Sequence, residues 1–147
     1  MSHPYSLKNF TPGESIGYLL KCAGSKLTLT VDRGLAEFDM THAQLGIILR
    51  LAHGYAKTAA DLSRDQMTDT GAMTRMLDRL EEKGFIERAR SSEDRRVVEV
   101  ALTAKGTQLA DQMTQVVIDA LNHHLRGFSA AEIAQFKDFL RRMVSNA

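Results

Sequence analysis

The chain has 147 residues, of which 19 are Lys or Arg and 18 are Asp or Glu, for a formal net charge of +1. With 44% hydrophobic and 25% charged residues it fits one folded domain or one compact dimerising unit, which excludes a disordered chain, a collagen and a disulfide scaffold. Cys22 has no partner for an internal disulfide, no apolar run reaches about 18 residues, and the first ten residues lack the apolar core of a secretion signal. We therefore expect a cytoplasmic protein without a membrane span, whose balanced charge gives no hint of a nucleic-acid partner.

Two helices are predicted in the first third of the chain. The first covers about 14–36, where apolar residues recur every three or four positions on one face. The second begins at Thr41, which forms a capping-box pattern with Gln44, and ends at Gly54. Their predicted buried faces are Ile16, Leu20, Ala23, Leu27 and Val31 in the first helix and Leu45, Ile48, Leu49 and Ala52 in the second.

Two more helices follow after a short interval. Thr58 is the expected N-cap of a short helix that ends near Gln66. The next helix covers 69–83 and is stopped by Gly84, since glycine readily adopts the positive φ of a helix C-cap. Its predicted buried stripe is Met73, Met76, Leu77 and Leu80.

The hydrophobic period then changes from that of a helix to that of strands. Residues 85–88 and 97–102 are predicted strands, and the short polar loop between them predicts a hairpin. A long helix over 103–126 and a last helix that begins at the capping box of Ser129 and Glu132 complete the chain. The predicted fold is mainly α with one small β-hairpin.

Catalysis has little support in the residues. The chain has no glycine-rich phosphate loop, no nucleophile elbow and no Cys-His metal cluster, and its acidic residues mostly alternate with Lys or Arg on helix surfaces. His123 and His124 are adjacent, so on a helix they point about 100° apart and do not simply share a metal ion. We expect neither an enzyme nor a bound metal or cofactor.

The short helix over 58–66 and the helix over 69–83 have the order and spacing of a helix-turn-helix unit. In such a unit the N-terminal residues of the second helix reach base edges in the DNA major groove. Small residues allow close approach, hydroxyls bond bases or phosphates, and the arginine fork suits guanine or phosphate. The alternative is an ordinary amphipathic helix with mixed surface charge. The residues concerned are Thr70, Gly71, Ala72, Thr74 and Arg75.

The hairpin strengthens the DNA-binding interpretation. Four arginines fall within nine residues there and face only two acids: they are Arg88, Arg90, Arg95 and Arg96 against Glu93 and Asp94. A loop that carries Arg95 and Arg96 is suited to a minor groove, whose negative potential attracts arginine. Asp94 is expected to hold one of the two in position.

Three segments together resemble the MarR (multiple antibiotic resistance regulator) family. They are the helix and turn over 69–84, the loop over 92–96, and the sequence Leu-Thr-Ala-Lys-Gly at 102–106. The family's wing pattern is Asp-x-Arg followed by Leu-Thr-x-x-Gly, and here Asp94 and Arg96 stand at the positions of the first motif. The length of the chain and the order of its elements agree with the same family.

The resemblance implies a winged helix-turn-helix protein with N- and C-terminal dimerisation helices. It implies one domain over 1–147, with dimerisation helices at 14–36 and 103–146 and a DNA-binding lobe at 41–102. The expected function is a homodimeric repressor on palindromic double-stranded DNA, with activation also open. The implied contacts are Thr70, Gly71, Ala72, Thr74 and Arg75 on the recognition helix, and Arg95 and Arg96 on the wing, with Asp94 orienting Arg96.

The resemblance also implies an effector, because many members bind a small aromatic or phenolic acid between the dimer helices and the winged lobe. Lys21 or Arg50 is suited to pair with a carboxylate, and Tyr18 or His53 to stack on a ring. The alternative is that these four are ordinary surface or interface residues.

Departures from the family pattern leave further alternatives. The turn that usually reads Leu-Gly is Gln66-Met67 here, so the tilt of the recognition helix is open. A redox-sensing repressor that acts through Cys22 is the alternative function, although the peroxide-sensing cysteine of the family aligns nearer Gly17. The urate-responsive branch uses a tryptophan, and this chain has none. A helical adaptor without DNA contacts is a further alternative.

Overall fold

A computed structural model describes residues 3–147 of the chain. Its six α-helices and one hairpin follow the predicted order of four helices, two strands and two helices. Two single-turn 3-10 segments lie on either side of the first helix. The elements are α1 Ile16–Leu35, α2 His42–Ala52, α3 Ala59–Asp65, α4 Thr70–Glu82, β1 Ile86–Arg90, β2 Val98–Leu102, α5 Ala104–His124 and α6 Ala130–Ser145.

The predicted helix ends agree closely with the observed ones because side chains hydrogen-bond the backbone groups that are left unpaired at the ends of a helix. The capping boxes at Thr41 and Ser129 are both formed. Thr58 makes a third capping box with Asp61 at the start of α3. Gly84 follows α4 with a φ of 76°, as its predicted stop requires.

One hydrophobic core joins α1, α2, α3, α4, α5 and the hairpin. The C-terminal half of α1 enters this core, whereas its N-terminal half does not. Ile47 and Gln44 of α2 are buried although the predicted stripe omits them, and Ala52 of that stripe is exposed. The most deeply buried side chains are Val31, Leu35, Leu45, Ile47, Ile48, Leu62, Met73, Leu77, Leu80, Ile86 and Met113.

The hairpin is longer than predicted on its first strand. β1 continues to Arg90 because antiparallel pairing persists from Ile86 opposite Leu102 to Arg90 opposite Val98. The segment before α3 also joins β2, since the Val100 N–H donates to the Lys57 carbonyl at 2.8 Å. This contact between residues distant in sequence attaches the hairpin to the short helix.

The junction between β2 and α5 is a close backbone contact. Thr103 caps α5: its hydroxyl accepts from the Gly106 N–H at 3.1 Å and donates to the Gly84 carbonyl at 2.6 Å. Its N–H donates to the Phe85 carbonyl at 3.0 Å. A Cβ on Gly106 would lie 2.0 Å from that same carbonyl oxygen, so only glycine fits. The Leu-Thr-x-x-Gly motif is therefore the joint between the hairpin and α5.

The last helix is apolar on a face that the described part of the chain does not bury. Among residues 3–147, α6 has no buried residue, and Phe139 is 51% exposed. The N-terminal half of α1 also exposes apolar side chains. The exposed apolar residues of these elements and of α5 are Ile16, Tyr18, Leu19, Ile118, Leu121, Phe136, Phe139, Met143 and Val144.

Across the described residues, none of the helices combines the length and the apolar character that crossing a membrane demands.

We expect Gly106→Ala to lower the free energy of unfolding by about 2 kcal/mol or more, because the added methyl overlaps the Phe85 carbonyl and must displace the first turn of α5. Urea unfolding followed by circular dichroism measures the change. Gln108→Ala, on the exposed side of the same helix, is the control and should change stability by less than about 0.5 kcal/mol. Equal stabilities of the two variants would contradict this account of the joint.

Candidate nucleic-acid interface

The N-terminal half of α4 presents a polar surface away from the core. Asp69 caps the helix, and its carboxylate accepts from the Ala72 N–H at 2.9 Å. Thr70, Gly71, Thr74 and Arg75 are exposed and Ala72 is half-buried, while the buried side of the helix holds the core residues Met73, Leu77 and Leu80. Of the predicted stripe only Met76 is half-buried. All five predicted recognition residues thus lie on one accessible end of one helix.

Arg75 is available for an external partner. It makes no hydrogen bond or ion pair with any residue in the range 3–147. Its guanidinium lies back over Gly71, where a Cβ would stand 3.5 Å from the Arg75 Nη1 atom. The Thr74 hydroxyl donates to the Thr70 carbonyl at 2.8 Å, which leaves its oxygen free to accept. This end of α4 therefore offers one free cation and one hydroxyl acceptor beside a residue without a side chain.

The turn between α3 and α4 shows why the family pattern has a glycine at the position of Met67. Met67 has a φ of 51°, in the left-handed region, and is 97% exposed. A glycine meets this conformation without strain, which accounts for the Leu-Gly pattern of the resemblance. Gln66 points inward, and its buried Nε2 lacks a hydrogen-bond partner within the described chain.

The loop of the hairpin holds two exposed arginines in an ordered turn. Asp94 Oδ1 accepts from the Arg96 backbone N–H at 2.9 Å, and the Asp94 carbonyl accepts from the Val97 N–H at 2.9 Å. Arg90 Nη1 donates to the Arg95 carbonyl at 2.8 Å. In the structure the contact from Asp94, which is predicted to orient Arg96, is to the Arg96 main chain. Within residues 3–147 the guanidinium groups of Arg95 and Arg96 have no acidic partner.

Arg88 is not part of this exposed arginine group, contrary to the prediction from its place in the sequence. Its Nη2 atom lies 2.7 Å from Asp78 Oδ1 and 2.6 Å from Glu81 Oε2, both on α4. These acids lie outside the nine-residue window that suggested a cluster of four free arginines. The hairpin therefore presents Arg95 and Arg96 outward while Arg88 is paired inward.

The four predicted effector residues occupy two places. Arg50 and His53 line a groove of about 500 Å³ between the ends of α2 and α3, where the His53 and Tyr55 rings lie 5.8 Å apart. Arg50 donates to the Gly46 carbonyl at 3.2 Å. Lys21 lines a separate groove along α1, and Tyr18 lies three residues, nearly one helical turn, closer to the N-terminus. In the described part of a single chain, no groove contains all four.

Cys22 is half-buried on α1, close to Tyr18. Hydrogen bonding to the Cys22 side chain raises the pKa of the Tyr18 phenol. His124 bonds to the Thr30 hydroxyl at 2.8 Å and His123 to Arg126 at 2.7 Å, so the two histidines serve different contacts. Residues 3–147 hold no group of three metal-ligating side chains.

Sequence reasoning counted Arg88 and Arg90 with the free arginines of the hairpin and missed their internal roles, in which Arg88 pairs with α4 and Arg90 bonds the Arg95 carbonyl. The signal for Arg88 is present in the chain: Ile86, Arg88 and Arg90 alternate along β1, and Ile86 is buried. Alternation places all three on one side of the strand, so Arg88 is expected to face the core side rather than solvent. The partners of Arg88 become evident only when α4 is packed against the hairpin.

A short helix, a tight turn, an exposed second helix and a hairpin with free arginines define a winged helix-turn-helix protein. A sequence profile of the MarR family matches residues 40–98. The multiple antibiotic resistance protein MarR of Escherichia coli K12 is 31% identical over 130 residues, covering 88% of this chain and 90% of that protein. The structure of a mutant E. coli MarR complexed with operator DNA matches with a TM-score of 0.76 at 32% identity, over 87% of this chain and 92% of that one. The Staphylococcus aureus MepR–DNA complex shares the fold, with a TM-score of 0.81 at 23% identity over 90% and 98% of the two chains.

The chain belongs to the MarR family of transcription regulators. Family membership confirms the predicted fold class. Because members of the family are transcription regulators, it also confirms that the chain is not an enzyme.

We expect Met67→Gly to raise the free energy of unfolding by about 0.5–1 kcal/mol. Relief of the left-handed backbone strain exceeds the entropy that glycine adds to the unfolded chain. Thermal and urea unfolding measure the gain. Met67→Ala keeps the Cβ and is the matched control, so an equal gain from alanine would show that the exposed side chain, not the backbone, is the cause.

Proposed function

We propose that this protein is a homodimeric repressor that binds palindromic double-stranded DNA and is released by a small aromatic or phenolic ligand. The observation that carries the proposal is a pair of cationic surfaces, Arg75 on α4 and Arg95 with Arg96 on the hairpin, whose guanidinium groups have no acidic partner among residues 3–147. The operator-DNA complex of the E. coli relative supports it, since that protein shares 32% of its residues with this one. The proposed lobe for DNA is 41–102, within a single domain over 1–147.

Each surface suits a different part of a duplex. The exposed start of α4 is thin enough at Gly71 and Ala72 to approach base edges in the major groove, where Arg75 has the geometry to bond guanine. The hairpin loop is narrow and doubly cationic, as a minor groove favours. In this proposal Thr70 and Thr74 contact bases or phosphates, and Asp94 keeps the Arg96 backbone in its turn.

Dimer formation is proposed through 14–36 and 103–146. The exposed apolar side chains of α1, α5 and α6 form a surface larger than a single chain accounts for, with aromatic rings such as Phe136 and Phe139 left facing water. A second copy of the chain covers such a surface by two-fold symmetry. A two-fold dimer carries two recognition helices, which is why the expected operator is a palindrome.

Ligand release is proposed from the groove beside Arg50 and His53. Its lining combines the Arg50 cation, the rings of His53 and Tyr55, the apolar Leu49 and the acidic Asp65. In this proposal Arg50 pairs with the carboxylate of an aromatic acid and the two rings stack on its ring, while the Asp65 side chain lies away from the bound carboxylate. Tyr18 and Lys21 lie on α1, one of the proposed dimerisation helices, and in this proposal the dimer brings them to the same ligand site. Binding that favours one spacing of the two recognition helices shifts the population away from the DNA-binding form.

Oxidation of Cys22 is the alternative trigger. The thiol lies on a proposed dimerisation helix, so its oxidation in the cytoplasm would act on the same spacing of the recognition helices. A Cys22→Ser variant that still leaves DNA on addition of peroxide would exclude this alternative.

Arg96→Ala is expected to weaken binding to every duplex and to reduce the slope of log affinity against log salt by about one per subunit, because a phosphate-neutralising cation is lost. Arg75→Ala should in addition change the sequence preference. Fluorescence anisotropy with the chain's own upstream region, or with a duplex selected from a random library, measures both.

The control for these variants is Lys8→Ala, which removes one positive charge from the exposed N-terminal segment, outside both the proposed DNA lobe and the proposed dimerisation helices. It should leave the affinity unchanged. Absence of binding by the unaltered protein to any selected duplex at low salt would refute the proposed function.

Phe139→Asp is expected to raise the dimer dissociation constant more than a hundredfold, because two buried rings, one from each subunit, are replaced by carboxylates, at a cost of about 3 kcal/mol or more. Light scattering after size exclusion distinguishes monomer from dimer. Tyr55→Asp alters a still more exposed ring in the proposed DNA lobe and should remain dimeric. A Phe139→Asp variant that stays dimeric at low concentration would show that α6 is not the interface.

A further inference from the structure

An ion-pair cluster joins the recognition helix to the hairpin. Three bonds from the Arg88 guanidinium reach two acids of α4: Nη2 lies 2.7 Å from Asp78 Oδ1 and 2.6 Å from Glu81 Oε2, and Nε lies 3.1 Å from Glu81 Oε2. The Arg88 backbone N–H also donates to Glu81 Oε1 at 3.2 Å. Glu81 therefore holds both the side chain and the main chain of β1.

The cluster is better protected than an ordinary surface pair. The Arg88 side chain is only 25% exposed, and its two carboxylate partners lie one helical turn apart. Hydrogen bonding from Arg88 holds the pKa of the Glu81 carboxyl below its ordinary value, and Glu81 in turn raises the pKa of Arg88. Both groups therefore remain charged across the neutral range, and fork geometry makes the contact directional.

The position of the cluster along the hairpin matters. The base of the hairpin is anchored by the Phe85 carbonyl and Thr103, whereas the arginine loop, residues 91–97, starts three residues beyond Arg88. At about 3.3 Å per residue, the loop extends well past the last point at which α4 holds it. A two-stranded ribbon without further support is only marginally ordered. Arg88 is thus the last hydrogen-bonded link between α4 and the hairpin before the loop, at the level where Val100, its partner on β2, is bonded to the Lys57 carbonyl.

We propose that Arg88, Asp78 and Glu81 are positioning residues that set the orientation of the arginine loop relative to the recognition helix. The inference rests on the proposed DNA binding, and it assigns Arg88 an internal role in place of a phosphate contact. With the link intact, Arg75 and Arg96 reach the duplex at the same time. Without the link, the loop becomes ordered only when DNA binds, and the entropy lost in ordering it lowers the affinity.

A purely electrostatic role and a positioning role predict opposite effects of Glu81→Gln on the affinity for DNA. Glu81→Gln removes a negative charge from the recognition helix, so a purely electrostatic effect would strengthen binding to a polyanion. The positioning role predicts weaker binding, because the amide no longer pairs with the guanidinium. Glu82→Gln is the matched control: it removes the same charge from the neighbouring residue of α4, which is exposed and pairs with nothing in residues 3–147.

Binding of a selected duplex by full-length Glu81→Gln and Glu82→Gln, measured at several salt concentrations, tests this inference. We expect Glu81→Gln to bind about fivefold more weakly, with the salt slope of the unaltered protein. Glu82→Gln should bind equally well or more tightly. Arg88→Gln should resemble Glu81→Gln, and the double variant should bind no worse than Arg88→Gln alone, since the two residues act as one link.

Hydrogen exchange without DNA gives an independent measurement, and thermal unfolding verifies that each variant is folded. Exchange in 86–102 should become faster in Glu81→Gln while the core amides of α5 are unchanged. The inference would be overturned if exchange in 86–102 were unchanged in Glu81→Gln, or if Glu81→Gln bound DNA more tightly. It would also be overturned if Arg88→Gln reduced the salt slope and the losses of affinity in Arg88→Gln and Glu81→Gln added up in the double variant. A protein that binds no duplex but shows the exchange change would refute the proposed function and leave the link between α4 and the hairpin established.

Discussion

The contact between Gly106 and the Phe85 carbonyl is the constraint on which the rest of the structure depends. It brings the end of α4, both strands and the start of α5 to one point, and Thr103 closes the remaining backbone groups there. Because a Cβ has no space at Gly106, the angle between the hairpin and α5 has little freedom. The hairpin that carries Arg95 and Arg96 is thereby held against α5, the long helix that exposes Ile118 and Leu121.

The distribution of charge explains how a chain with a net charge of +1 presents a cationic surface. Asp78 and Glu81 neutralise the charge of Arg88. Arg75, Arg95 and Arg96 have no acidic partner in the described residues. The free cations are few and lie on two narrow projections. Such a surface favours recognition through geometry over bulk attraction, because little of the chain's charge is available to bind any polyanion indiscriminately.

Local signals made much of the fold predictable. Capping residues at Thr41 and Ser129, and the stop at Gly84, act on backbone groups within four residues, so the helix ends follow from nearby sequence. The exposure of the predicted recognition residues is likewise a consequence of helical periodicity once the apolar stripe of α4 is known. The failures are non-local: Ile47 is buried by neighbours on other elements, and the bond from Val100 to Lys57 crosses more than 40 residues.

The sequence by itself determined the family, the order of the elements and the side of α4 that faces outward, because periodicity and motif spacing are properties of short segments. Only the tertiary structure decided which charges are free. A count of charges treats Arg88 and Arg96 alike. The packing of β1 on α4 places Arg88 beside two carboxylates, whereas the Arg96 side chain lies in a loop with no acidic partner in the described part of the chain. Charge pairing depends on distances of a few ångströms between segments far apart in sequence, and those distances arise only when the core closes.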